Sequence, residues 1–159
     1  MMSRSKLCLC LLLGAASLTR AVAALTTWDR VEIAPMKTSI YIGSVRLSTQ
    51  TFERSGSTLS STYAARVFPW IPWNEHGKIS ITLSDTALAN IAKGETAEFT
   101  GDATNHRNKP RKITGRVQPT SATTGKIKVR ISADGIELVF NSTYQFTEVQ
   151  ELSRPALAR

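Results

Sequence analysis

The sequence predicts an all-β fold: a small antiparallel β-barrel or β-sandwich of seven or eight strands, with one short helix at about residues 85–93. Three observations carry this. Apolar and polar residues alternate with period two in run after run between Thr38 and Phe146, which is the pattern of strands with one buried face. Turn-forming residues separate the runs, most clearly Asp134-Gly135, which suits a two-residue hairpin. A single stretch, from Asp85 to Lys93, carries helical spacing instead.

The chain begins with an address. Arg4 and Lys6 precede an apolar run from Leu7 to Ala16, and Ala21-Val22-Ala23 supplies a small-x-small cleavage pattern. Residues 1–23 therefore read as a secretory signal peptide; the run is shorter than the about 20 residues a bilayer span needs. Cleavage after Ala23, or one residue later after Ala24, sends the protein to the periplasm or the extracellular space, with no transmembrane span remaining. It leaves about 136 of the 159 residues, enough for one domain with a sizeable core. Cys8 and Cys10 depart with the signal. The mature chain then has no disulfide, no thiol nucleophile and no thiolate metal site, and must hold together by core packing. Losing Arg4, Lys6 and Arg20 leaves 17 basic residues against 12 acidic ones, so +8 becomes +5.

Ala24 to Pro35 is a lead-in, where Trp28, Val31 and Ile33 dock a first irregular strand and Pro35 marks its end. Thr38 to Phe52 reads as one long strand with a bulge at Gly43-Ser44, where the apolar parity switches. A turn near Ser55 returns it, placing Val45 opposite Ala65, Leu47 opposite Tyr63 and Thr51 opposite Leu59. Lys78 to Ser84 sends Ile79, Ile81 and Leu83 inward. Asp85 then reads as a helix N-cap, with Leu88, Ile91 and Ala92 on one face and Gly94 as the C-terminal stop.

Thr96–Thr104 and Lys112–Gln118 form a hairpin centred at Asn108. That register sets Gly101 against Gly115, leaving a groove for a large side chain, with a tryptophan the obvious occupant. Lys126–Ser132 and Ile136–Phe146 pair around Asp134-Gly135, joining Ile131 to Leu138 and Val129 to Phe140. The single β domain thus spans 24–148, and 149–159 reads as a disordered tail. An inverted, outer-membrane arrangement is disfavoured, because aromatics are too few for two interfacial girdles.

The chemically densest stretch is Phe68-Pro-Trp-Ile-Pro-Trp-Asn-Glu-His-Gly77. Trp70 and Trp73, with His76 beside them, are the ligand-binding candidates: tryptophan offers a large flat contact with a hydrogen-bonding edge. Apolar bulk at a strand end is usually packing, so one or both rings are expected to close the core. Glu75 and His76 could serve as acid and base, but adjacent residues of an extended chain point to opposite sides. A polar turn into Gly77 is the plainer expectation. A second cluster, His106, Arg107, Lys109, Arg111 and Lys112, is an anion-binding candidate at a hairpin tip. Lys126, Lys128 and Arg130 would extend it if the hairpins adjoin. Surface charge alone explains such a loop equally well.

Other chemistries lack their signatures. There is no Gly-x-Ser-x-Gly, no phosphate-cradling glycine loop and no ligand set for a metal. No catalytic residue, metal or cofactor is assigned, and no aromatic interleaving supports nucleic-acid binding. The expected function is that of an exported, non-enzymatic β domain binding a glycan, a lipid or a partner protein. The contrasting readings are a small extracytoplasmic hydrolase using Glu75 and His76, and a purely structural or assembly subunit.

Overall fold

The computed structural model describes residues 28–147. The signal segment (1–23), both cysteines and the tail (149–159) lie outside the described residues.

Ten strands form one antiparallel sheet that closes on itself: β1 (Arg30–Ile33), β2 (Met36–Ile40), β3 (Gly43–Thr49), β4 (Phe52–Ser55), β5 (Thr58–Phe68), β6 (Glu75–Thr82), β7 (Ala97–Asn105), β8 (Pro110–Pro119), β9 (Thr124–Ala133) and β10 (Ile136–Thr147). Each stave pairs with the next, β1 pairs with both β4 and β10, and β5 pairs with β6. Two staves are broken. β1 and β2 are one stave interrupted at Pro35, which has no N–H to give a ladder. β3 and β4 are another, interrupted at Gln50-Thr51. The result is an eight-stave, up-and-down closed barrel, so barrel closure and not sandwich stacking buries the apolar faces. Phe52, Ile113 and Phe140 fill its axis together with Ile91 of the helix. The alternate positions that face outward are mostly polar, as at Lys126, Lys128 and Arg130 on β9.

The firmest local pattern is reproduced: Leu138 pairs with Ile131 and Phe140 with Val129. Asp134 (φ 47°) and Gly135 (φ 86°) both adopt the left-handed conformation that such a two-residue turn demands. Other details differ. Thr38–Phe52 is two staves, because the chain reverses at Tyr41-Ile42 and not through a bulge; Ile40 pairs with Gly43, whose φ of 119° is open to glycine. The irregularity falls instead at Gln50-Thr51. The return hairpin turns at Gly56-Ser57, so Val45 faces Val67 and Leu47 faces Ala65. The β7–β8 hairpin is likewise displaced by two residues. Between β3 and β5 and between β7 and β8 the displacement of two leaves side chains on their expected faces, because the side-chain period is two. Past Gln50-Thr51 the faces exchange, so Phe52 and not Thr51 is buried, and Leu59 pairs with Arg54 and not Thr51.

One consequence reaches the core. Gly101 and Gly115 do not face each other: Gly101 pairs with Ile113, and Gly115 with Phe99. The Phe99 ring lies directly over Gly115, where a methyl group would collide with it. The groove expected to receive a tryptophan is filled by the cross-strand phenylalanine.

One end of the barrel is sealed. Helix α1 (Asp85–Ala92) follows β6 and buries Ala87 and Ile91. Its N-cap is Ser84, one residue before the expected Asp85; the Ser84 hydroxyl accepts from the Ala87 N–H at 3.1 Å. Trp28 stacks on Phe146 at the same end, with ring centroids 4.4 Å apart. The opposite end carries four connections: Tyr41-Ile42, Pro69–Asn74, His106–Lys109 and Asp134-Gly135.

Candidate functional site

This second end, the mouth, gathers the ligand-binding candidates and the hairpin-tip cluster. Lys126, Lys128 and Arg130 instead run down the outer wall of β9 away from it, with Lys126 opposite Gln118. The connection after β5 starts with a cis Phe68–Pro69 peptide and makes a 3-10 turn at Ile71–Trp73. Asn74 closes it, its side-chain oxygen accepting from the Val67 N–H at 2.7 Å. Neighbouring connections are laced together. Gly43 packs against the Phe68 carbonyl, Arg107 donates to the Pro72 carbonyl at 3.3 Å, and Lys109 lies 3.8 Å from Asp134.

Trp70 and Trp73 do not close the core. Their rings stack on each other, centroids 5.6 Å apart, and remain 45% and 62% exposed. The expectation that the core would take one of them fails because the barrel is already filled by Phe99, Phe140 and Ile113. Around them stand Tyr41, Ile42, Phe68, Ile71 and Ile136. These seven are all of the exposed large hydrophobic side chains among the described residues, and all seven are at the mouth.

Glu75 and His76 diverge as their adjacency requires. His76 faces out and stacks on His106, centroids 4.6 Å apart and planes within 6°. The His106 N–H donates to the His76 carbonyl at 2.8 Å. Parallel rings cannot both direct a nitrogen lone pair at one ion, and no group of three or more metal-ligating side chains occurs among the described residues. Glu75, by contrast, is no solvated turn. It points into the barrel, where Arg111 donates to it through Nε (3.3 Å) and Nη2 (3.0 Å). Asn105 Nδ2 (2.9 Å) and the Tyr63 hydroxyl (3.0 Å) add two further bonds.

Arg111 is 94% buried and its Nη2 also reaches Asp134 at 3.1 Å. Asn105, equally buried, uses its side-chain oxygen to accept from the N–H groups of Arg107 and Lys109, which shapes the tip of the hairpin. Burial alone would push the Glu75 carboxyl up, but the hydrogen bonds from Arg111, Asn105 and Tyr63 and the guanidinium charge prevail, holding it below the ordinary range. Burial first, and then the neighbouring Glu75, raises the Tyr63 phenol. The hydrogen bond from Arg111 is the main reason the Asp134 carboxyl is lowered.

The basic cluster is thereby divided. Arg111 is internal and ion-paired, and Lys112 faces out and pairs with Asp102. Arg107, Lys109 and His106 stay at the tip. Beneath the network is a cavity of about 40 Å³ lined by Val45, Leu47, Tyr63, Ile113 and Phe140 among others. It has room for a few waters and nothing larger. The parts that sequence reading missed are Asn105, Tyr63 and the Glu75–Arg111 pairing across 36 positions. The only local signal was that Arg111, in an alternating strand, shares the parity of Ile113.

A basic row was also missed. On the outer wall Lys37 pairs with Arg46, and Arg46 with Arg66. All three are exposed, and none makes an ion pair among the described residues. They come from three separate runs of sequence, and only the register brings them together.

No known protein family matches this chain, and no curated protein is similar to it. Among solved structures, that of EF1p2_mFAP2b bound to DFHBI is similar at 14% identity, over 75% of this chain and 92% of that one, with a TM-score of 0.43. At that TM-score it bears on neither the site nor the ligand of this chain.

Proposed function

We propose that this protein is an exported, non-enzymatic β-barrel that binds its ligand at the mouth, on the surface built around Trp70 and Trp73. The observation that carries this reading is the gathering at one end of the barrel of all seven large apolar side chains exposed among the described residues, while the helix seals the other end. A folded domain rarely leaves such a patch exposed without use. The filled interior favours an occupant that lies across the rim over one that enters the barrel.

The hydrolase alternative finds less support. A general acid wants a raised carboxyl, and Glu75 is lowered and held by four donors' hydrogen bonds on the face away from His76. His76 has a histidine ring, not a carboxylate, against it.

Tryptophan emission tests the reading. Trp28 is 4% exposed and reports the core, so Trp70 and Trp73 dominate any ligand response. Titration with detergent micelles, soluble glycans and envelope extract should shift the emission to the blue with at least one of them. The double variant Trp70→Ala/Trp73→Ala should lose that shift while keeping its circular dichroism. Emission indifferent to all three classes sinks the proposal, and a concentration-dependent mass without ligand would point to self-assembly instead.

A further inference from the structure

We propose that the occupant of the mouth is a membrane surface with anionic headgroups, on which the barrel docks end-on. The inference rests on the rim-binding reading and adds the basic row on the outer wall. Lys37, Arg46 and Arg66 are direct cross-strand neighbours on β2, β3 and β5. Like charges placed opposite each other weaken a sheet, and no carboxylate among the described residues offsets these three. An external anion would offset them.

Their height on the wall fits a bilayer. Arg46 stands four residues below Ile42, and Arg66 two below Phe68. At about 3.3 Å per residue and the usual stave tilt, the guanidinium level lies roughly 5–10 Å beneath the apolar tips. Apolar groups of interfacial proteins enter a bilayer to a depth of roughly 5–10 Å. Tips buried to that depth would bring Arg46 and Arg66 level with the phosphates. Stacked Trp70 and Trp73 suit the headgroup boundary, where an apolar ring with a polar edge is most at home. A soluble glycan would use the rings but leave the row unmatched; a bilayer uses both.

Flotation with unilamellar vesicles tests this. With the full mature chain, vesicles of phosphatidylcholine containing about a third phosphatidylglycerol should bind strongly at low salt, pure phosphatidylcholine weakly. Each cation near an anionic leaflet contributes about fivefold in binding, so Lys37→Gln/Arg46→Gln/Arg66→Gln should lose about a hundredfold on the anionic vesicles and almost nothing on the neutral ones. Trp70→Ala/Trp73→Ala should instead weaken both, by about tenfold or more. Because the charge variant relieves like-charge contacts, its melting temperature should hold or rise, which separates lost binding from lost folding.

Equal binding to both vesicle types, or a charge variant that floats like the parent, overturns the inference. Tryptophan shifts with a soluble glycan and none with vesicles would also overturn it, yet leave the rim as a binding site. Silence in every titration would remove both readings.

Discussion

Replacing Arg111 with Met tests the buried network most directly. The Arg111 side chain is only 7% exposed and makes two bonds to Glu75, whose own side chain is only 20% exposed. Met keeps the length and removes the charge. Glu75 is then left inside the barrel with Asn105 and Tyr63 as its only donors. Breaking one side of a buried pair costs about 3–5 kcal/mol, most of it from the charge left behind. The Asp134 arm adds little, because that carboxylate is 61% exposed and surface pairs contribute under about 1 kcal/mol. Unfolding the 120 described residues carries an entropy of about 0.25 kcal/mol per kelvin, so the melting temperature should fall by about 12–20 °C. Adding Glu75→Gln to that variant removes the orphaned charge and should recover most of the loss. Urea denaturation followed by far-ultraviolet circular dichroism measures all three chains. A loss under about 1 kcal/mol for Arg111→Met, or a double variant no better than the single, would refute the claim that a desolvated charge pair organises the mouth.

The Glu75 carboxyl is lowered in the folded state, so its contribution is present above the ordinary value near 4.5 and is lost as pH falls through the folded value. Acid titration of stability should therefore be shallower for Glu75→Gln than for the parent below about pH 4.5. Gly115→Ala should cost about 1–3 kcal/mol, read from the denaturation midpoint, since the new methyl meets the Phe99 ring and the Lys128 carbonyl. Ser84→Ala should cost about 1 kcal/mol by the same measurement, because the Ala87 N–H loses its cap. Arg46→Gln should raise stability by about 0.2–1 kcal/mol, the opposite sign to an ordinary loss of surface charge.

The fold was legible where local rules act alone. Asp134-Gly135 sets its own turn, and the strands either side follow in register. The other two hairpins have turns of weaker type, and both were displaced, by two residues where β3 meets β5 and where β7 meets β8. A displacement by two is invisible to the apolar pattern, because it preserves which face each side chain occupies. It still decides contacts: it replaced a facing pair of glycines with Phe99 over Gly115, and so removed the place reserved for a tryptophan. The residues of the mouth could be picked out by composition, since Trp, Pro and clustered cations stand out. Their relations could not. Glu75 meets Arg111, and His76 meets His106, only because four connections between different strands converge on one end.

That convergence explains why polar groups are buried near an apolar rim. The mouth has no helix to seal it, so its four connections must be held by something other than a hydrophobic plug. Glu75 on β6, Asn105 on β7, Arg111 on β8 and Asp134 after β9 are linked through one set of hydrogen bonds, with Tyr63 of β5 joining at Glu75. Five consecutive staves are thus clamped at the level just below the rim. A clamp of charges requires one geometry in a way that apolar packing does not, since each displaced partner leaves a desolvated group behind. Seven apolar side chains can then stay outside the core without collapsing into it, because the network and the filled axis leave them nowhere to go. The polar interior and the greasy rim are on this view one device: the first holds the second in the open, where a surface can reach it.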